Sequence, residues 1–469
     1  MILYLIVLAS SFIIASNSKA DSIVRIKSFV QKVDERTPWK REQVRTISSN
    51  ALVIDKDLLL VSSKVVDQST FLEAYLGQDA SPRTLKLEYL DNNAQLAILK
   101  LPKPSDLVPL TFAENVKPNQ RVEVKNLRNN RLETLKKTIR EFRTIRSRTS
   151  FYPLPVMVMA KGGRSVMNSA PIFCQKKVCG LVIHQNEREL LALPSPVIRK
   201  FLNNYRSNIK DFAKMGIATR TIPDSLFRKV KLKNADLKGL WIERVFRHSA
   251  FRNTLKVGDV VTQVDGIPID RQGYLEIEPW GKLPLSGYTW KLSSTKPIEL
   301  NVWRDGKEMS IKAKPSAFEG GMDPIPLLNG RKRPFIIING IVFAELTRNF
   351  LYSWGAKWIE NAPMALSFSF LYGEKKPAVF IANVFPRESN RVYRAARYDI
   401  VKRVNENEVG NLAEFLNQIQ LAFDQKQKAV IDMGPIPLEV ILDLSTIAEQ
   451  KALVSQDYST NPEFFWLPN

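Results

Sequence analysis

Residues 164–183, RSVMNSAPIFCQKKVCGLVI, set a serine hydroxyl in a small-residue turn ahead of a proline. Ser169 follows Asn168 and precedes Ala170-Pro171; an apolar run, the turn Gln175-Lys176-Lys177-Val178 and a second apolar run come next. A hydroxyl so placed can act as a nucleophile only if a neighbouring base takes its proton. The chain holds 2 histidines, His184 directly after the second apolar run and His248 further on. Lysine is the other base available, provided burial lowers its pKa. Cys174 and Cys179 flank the lysine turn, where they either pair across a hairpin as a disulfide or sit as small apolar core residues. No CxxC spacing occurs, so no redox or zinc motif is expected. With so few histidines and cysteines, and none in a ligand cluster, no metal site is expected. No cofactor fingerprint is present, and no cofactor is expected.

The elements that must position these residues are set by length and patterning. The chain has 469 residues, enough for several domains, and 44% hydrophobic and 25% charged residues predict buried cores rather than global disorder. Residues 1–20, MILYLIVLASSFIIASNSKA, end in Ser18-Lys19-Ala20. They read as a signal peptide with a small-x-Ala cleavage site or, lacking a positive leading region, as an uncleaved anchor. Either reading predicts export to a periplasm or cell envelope. No later stretch is long and apolar enough to span a membrane. The formal net charge is +22, and +21 without residues 1–20, which carry one lysine and no acid. Such a balance suits nucleic acid, an anionic membrane surface or acidic polymers; export removes the expectation of nucleic acid. The densest run spans residues 128–148, with Arg128, Arg131, Lys136, Lys137, Arg140, Arg143, Arg146 and Arg148 opposed only by Glu133 and Glu141. It reads as a solvated loop or hairpin, or as a contact with lipid headgroups or a partner.

Residues 22–205 read as short strands between polar turns, among them 51–54, 58–61, 96–99 and 156–159, and so as an all-β sandwich or barrel. A helix over 194–205 closes it. In residues 212–315, Gly258-Asp259 enters a strand and Asp265-Gly266 suits a type I′ hairpin turn. A second hairpin surrounds Arg304-Asp305-Gly306-Lys307. Residues 333–450 repeat this more loosely: Tyr398-Asp399 lines up with Gly258-Asp259, and Asn411 caps an amphipathic helix. The repeat suggests two copies of one module, with 315–334 as their boundary.

The pattern Gly-Asp-x-(apolar)-x-x-x-Asp-Gly-x-Pro-(apolar) at 258–269, preceded by Met215-Gly216-Ile217-Ala218, resembles a PDZ domain. A β-rich domain followed by two such modules resembles the HtrA/Deg family of serine proteases. The similarity is to its plant Deg-like branch, with a divergent second PDZ that opens on an apolar segment such as 335–343. The resemblance covers nearly the whole mature chain. It implies a mainly β fold: a signal peptide at 1–20, a trypsin-like double β-barrel at 22–205, a PDZ domain at 212–315 and a divergent PDZ domain at 333–450.

The family's catalytic positions can be followed one by one. Its Leu-Thr-x-x-His-Val-Val motif is matched by Leu60-Val61-Ser62-Ser63-Lys64-Val65-Val66, with Lys64 in place of histidine. Its Asp-Leu-Ala-Leu-Leu-Lys motif is matched by Gln95-Leu96-Ala97-Ile98-Leu99-Lys100, with Gln95 in place of aspartate. Its Gly-Asn-Ser-Gly-Gly-Pro motif is matched without gaps by Val166-Met167-Asn168-Ser169-Ala170-Pro171, with Asn168 in place of serine; a one-residue gap would make Ser169 the serine instead. Val166 also replaces a glycine that shapes the oxyanion turn. The resemblance places neither histidine opposite Ser169. The expected reading is therefore a pseudoprotease, not an enzyme: a non-catalytic scaffold that binds protein C-termini or unfolded chains. The alternative is an active serine endopeptidase with a Ser169-Lys64 dyad. A third reading is a membrane-surface protein using the basic run.

In a PDZ domain the ligand carboxylate sits on the backbone N–H groups of the short Gly-apolar loop. By resemblance that loop is Met215-Gly216-Ile217-Ala218 in the first module and Asn339-Gly340-Ile341-Val342 in the second. Peptide binding is expected of the first, assembly of the second. The resemblance also implies a homo-oligomer, a trimer or higher.

Overall fold

The computed structural model describes residues 22–458 apart from 41, 77–80, 147–152, 210, 223–236, 247–248, 318–324, 331, 356–377 and 435–437. The leader at 1–20, His248 and Arg148 lie outside the described residues. Short aliphatic strands separated by polar turns build two sheets in the first half of the chain. Strands β1 (Ile23–Val30), β2 (Arg45–Val53), β3 (Leu58–Ser62), β4 (Ser69–Tyr75), β5 (Arg83–Thr84), β6 (Lys86–Asp91) and β7 (Leu96–Lys100) form a seven-stranded sheet in the order β5-β4-β1-β2-β3-β7-β6. Strands β8 (Arg121–Arg128), β9 (Arg131–Arg146), β10 (Pro153–Ala160), β11 (Pro171–Cys174), β12 (Lys177–Gln185) and β13 (Glu189–Pro194) close into a barrel, β10-β13-β12-β11-β8-β9. Helix α1 (Ser195–Arg206) begins with proline in its first turn, where the missing N–H costs nothing, and buries Val197, Ile198 and Phe201. The paired sheets are mainly β and arranged as in trypsin-like proteins.

The basic run is part of this barrel. Asn129 and Asn130 both adopt positive φ, 48° and 60°, which turns β8 tightly into β9 with Arg128 opposite Arg131. Arg143 is bound in a two-pronged contact with Glu189, at 2.6 and 3.3 Å. The run is thus a hairpin with an alternating cationic face rather than a loop.

The first repeat consists of β14 (Ala213–Lys214), β15 (Ile217–Thr221), β16 (Leu240–Val245), β17 (Val260–Val264), β18 (Ile267–Pro268), β19 (Tyr274–Ile277), β20 (Gly281–Pro284), α2 (Leu285–Tyr288), β21 (Ile298–Arg304), β22 (Lys307–Ala313) and β23 (Ser316–Ala317). Its main sheet runs β15-β16-β17-β21-β22, while β14 pairs separately with β23. Asp265 and Gly266 have φ of 46° and 78°, the two positive values a type I′ turn requires. Asp259, 1% exposed, holds Arg304 at 2.6 Å and caps the N–H of Lys256 at 2.8 Å, so the Gly-Asp entry is an ion-paired corner.

The second repeat consists of β24 (Phe335–Ile338), β25 (Ile341–Glu345), α3 (Arg348–Tyr352), β26 (Val379–Val384), β27 (Ile400–Val404), β28 (Asn407–Glu408), α4 (Leu412–Asp424), β29 (Ala429–Gly434), β30 (Glu439–Leu442) and α5 (Ile447–Tyr458). Its sheet runs β24-β25-β26-β27-β29-β30. Asn411 caps α4 through the N–H of Glu414 at 2.8 Å.

The barrel and the first repeat share one hydrophobic core. Strand β10 is buried along nearly its whole length because α2 and residues 289–291 cover the face that would otherwise meet water. Trp280 stacks on Phe142 with centroids 5.1 Å apart, touches Trp290 at 5.0 Å and donates its indole N–H to Val116 O at 3.1 Å.

Candidate functional site

The cleft between the two sheets gathers the residues singled out above. Strand β3 ends at Ser62 and tightens into a short turn, residues 63–65, that carries Lys64. Gln95 enters β7 with φ +56° and 3% exposure, and its carbonyl accepts the N–H of Ser63 at 2.9 Å. Its side-chain nitrogen and the Ser63 hydroxyl are buried without hydrogen-bond partners. The Ser63–Gln95 bond sets the turn that carries Lys64 beside Gln95.

Asn168 and Ser169 are held differently. Asn168 is partly exposed, and its carbonyl accepts the N–H of Asn50 at 2.9 Å. Ser169 is 0% exposed in the left-handed region, φ +61°. Its hydroxyl oxygen accepts the N–H of Ser62 at 2.8 Å, and its own N–H donates to Val182 O at 2.8 Å. It is a staple between the sheets rather than a side chain offered to a substrate. Lys64 Nζ instead lies 3.2 Å from His184 Nδ1, and no hydrogen bond joins Lys64 to Ser169 among the described residues. The Ser169 hydroxyl thus faces the N–H of Ser62, and Lys64 faces His184. Burial lowers the Lys64 pKa. His184 is lowered too, first by burial and then by the charge of Lys64. As an ammonium, Lys64 donates to an unprotonated Nδ1.

Two backbone N–H groups of the turn before Asn168 are bonded to side chains from outside it. The N–H of Val166 donates to Gln185 Oε1 at 3.1 Å, and Gln185 Nε2 returns bonds to Val166 O at 2.7 Å and Ser165 Oγ at 3.1 Å. The N–H of Met167 donates to Asn126 Oδ1 at 2.9 Å. Sequence reading missed Gln185 and Asn126, and gave His184 no partner. The available signal for Gln185 and His184 was their position at the end of the apolar run of β12, where the strand leaves the core. Asn126 carried none, since its partner is 41 residues away.

Cys174 and Cys179 form a disulfide across the β11–β12 hairpin, Cα to Cα 5.6 Å. Among the described residues no three His, Cys, Asp or Glu side chains gather as metal ligands, and no helix there is long and apolar enough to cross a membrane.

Both Gly-apolar loops have the same local architecture. Gly216 has φ +68°, its carbonyl accepts the N–H of Phe246 at 2.9 Å, and Met215 O accepts the hydroxyl of Ser249 at 2.6 Å. An ideal Cβ at Gly216 would lie 2.8 Å from Ser249 Cα, so no side chain fits there. In the second repeat Gly340 has φ +75°, its carbonyl accepts the N–H of Phe385 at 2.9 Å, and Asn339 O accepts Asn390 Nδ2 at 2.7 Å. Ile217 and Ala218 begin β15, the end strand of its sheet, whose outer edge pairs with no other described strand.

The comparisons with known proteins agree with this architecture. A PDZ-domain family model matches residues 326–462. The mitochondrial Do-like 3 protein of Arabidopsis thaliana, named provisionally as a protease, is 20% identical over 85% of this chain and 72% of its own length. The Do-like 13 protein of the same plant is 21% identical over 64% of each. The mitochondrial Do-like 11 protein is 21% identical over 71% of this chain and 60% of its own. The chain is thus similar to Do-like proteins over most of its length and carries a PDZ-domain match at 326–462. Among solved structures, the HtrA-type protease AlgW with a decapeptide aligns with a TM-score of 0.48 and 13% identity, over 64% of this chain and 96% of its own. A serine endoprotease from Yersinia pestis aligns with a TM-score of 0.42 and 12% identity, over 66% of this chain and 100% of its own.

Proposed function

We propose that this HtrA/Deg homologue is a pseudoprotease: an exported, non-catalytic scaffold whose first PDZ module binds protein C-termini or unfolded chains in the cell envelope. The observation that carries the reading is the pairing of Val166 N–H with Gln185. It adds a fifth departure to Lys64, Gln95, Asn168 and Val166. A tetrahedral intermediate needs preorganised donors aimed at its oxygen, and a donor already bonded to protein must be freed first. Binding is assigned to the loop Met215-Gly216-Ile217-Ala218 and the open edge of β15, where an extended peptide adds as a strand. Export rests on residues 1–20, and amino-terminal sequencing of the secreted chain tests it. Homo-oligomerisation, trimeric or higher, follows from the family resemblance and is read by light scattering.

The central test pairs an unfolded casein-type substrate and a serine-directed fluorophosphonate with a library of apolar C-terminal peptides. The expected result is no cleavage, no labelling, and saturable peptide binding lost on Gly216→Leu. Cleavage with labelling that Ser169→Ala abolishes would establish the endopeptidase alternative. The cationic face of β9 supports a second, compatible contact with an anionic membrane surface. Binding to phosphatidylserine vesicles should weaken as salt rises and drop on Lys136→Glu with Arg140→Glu.

A further inference from the structure

Helix α1 and the connection from α2 to β21 face each other across an open cavity of about 620 Å³, at the seam between the barrel and the first repeat. Arg199 and Lys200 of α1 and Lys291 and Lys296 of the connection bring four cations to its lining. Two acids, Glu114 and Asp211, oppose them there. Asp211 is already engaged, since its Oδ1 accepts both the N–H of Ser294 and, at 2.8 Å, the Ser294 hydroxyl. Arg199 and Lys296 are exposed, and their side chains make no ion pair or hydrogen bond among the described residues. A cleft lined by an excess of one charge concentrates counter-ions of the other sign.

The buried part of the lining also consists of donors. Lys200 Nζ donates to Trp290 O at 3.0 Å and to Leu292 O, which leaves one ammonium hydrogen beyond those two bonds. Burial holds its pKa down at about 8, and an anion in the cavity would favour the ammonium form. Asn204, one turn further along α1 and 7% exposed, keeps a buried Nδ2 with no acceptor. A donor left so is costly, and a ligand oxygen would satisfy it. Three carbonyls at the end of α1, those of Asn203, Asn204 and Tyr205, accept the N–H groups of Ser207, Ile209 and Asn208, which limits their repulsion of an anion. A guanidinium, ammonium groups and an amide converging from two elements suit the oxygens of a phosphate group. The cavity is also within the size range of small-molecule sites.

We propose that this cavity binds a phosphate-bearing anion, held by Arg199 and Lys200 on one side and by Lys291 and Lys296 on the other, and that the bound anion clamps the first repeat onto the barrel. The site is separate from the glycine loop at 215–218 and depends neither on peptide binding there nor on the loss of catalysis.

The test is calorimetric titration of the full chain with sodium pyrophosphate at fixed ionic strength. One saturable site per chain is expected. Arg199→Glu with Lys296→Glu should weaken it at least about 10-fold, the scale of losing charge-assisted hydrogen bonds. Lys136→Glu with Arg140→Glu, which reverses charge on the exposed face of β9, should leave it unchanged. No saturable binding, no loss in the first variant, or an equal loss in both variants overturns the proposal. If the first variant does not fold, acetylation of the unsubstituted chain is read lysine by lysine with and without pyrophosphate. At several times the dissociation constant, Lys291 and Lys296 should be protected at least about fivefold and Lys136 not at all. No protection, or equal protection of Lys136, overturns it. Phosphatidylcholine vesicles carrying phosphatidic acid then separate two sources of the phosphate group. Vesicle binding that falls with Arg199→Glu/Lys296→Glu supports a lipid headgroup as the ligand, and unchanged vesicle binding supports a free phosphate compound.

Discussion

At the residue scale the seam between the first two sheets is defined by which groups are already engaged. Ser169 spends its hydroxyl on the N–H of Ser62 in a fully buried position. Ser169→Ala should therefore lower stability by about 1–3 kcal/mol, the cost of stranding a buried donor, with no change in fluorophosphonate labelling. Urea unfolding beside the labelling assay checks both halves; a stability-neutral change would show that the staple matters little. Gln185 bears on the converse experiment. Rebuilding the family triad as Lys64→His, Gln95→Asp and Asn168→Ser leaves the Val166 N–H bonded to Gln185. Turnover of the triple variant should lie at least about 100-fold below that of a variant also carrying Gln185→Gly and Val166→Gly, in line with the loss of one oxyanion donor. Equal rates in steady-state peptide hydrolysis would remove Gln185 from the account. Motif spacing singled out Lys64, Gln95 and Asn168 for comparison with the family's triad. The capping side chains were not, because a hydrogen bond between Gln185 and Val166 leaves no local pattern at either residue.

At the element scale the hairpins carry the positional information. The disulfide closes a loop with a sequence separation of 5. Replacing Cys174 and Cys179 by alanine should cost roughly 2 kcal/mol by the loop-entropy relation, far less than a long-range bridge plus core loss would. Chemical unfolding of the double variant reads this, and a cost above about 5 kcal/mol would mean that the pair organises the barrel as a whole. The Asp265-Gly266 hairpin could be read directly, since only a turn with two positive φ values needs those residues. The β8–β9 hairpin was harder to read, its Asn129-Asn130 turn lying within a basic run that also suited a loop. Strand β24 was legible as an apolar segment, but its partner was not, since β14 and β24 precede similar glycine loops and pair differently.

At the scale of the whole molecule, the barrel and the first repeat meet across a seam built on Lys200 as well as Trp280. Lys200 Nζ, pushed down to about 8 by burial against the pull of Asp211 and Asp91, donates to Trp290 O at 3.0 Å and to Leu292 O. A lysine with a lowered native pKa binds fewer protons when folded than when unfolded. Stability should therefore rise with pH from about 8 toward the unfolded value near 10.5, and this part of the slope should vanish in Lys200→Met. Guanidinium unfolding of both chains between those limits gives the difference directly. Parallel pH profiles would place Lys200 in solvent rather than in the seam.

The amino-acid sequence by itself determined the mainly β class, the repeat and the glycine loops, because turns and motifs depend on neighbours within a few positions. Tertiary structure alone decided that Ser169 faces inward, that Lys64 meets His184, that Gln185 bonds Val166, and that β24 pairs with β25 while β14 pairs with β23. Each of these is a contact between segments distant in the chain. Burial of apolar surface brings such segments together, and their hydrogen bonds are satisfied only after that packing is set.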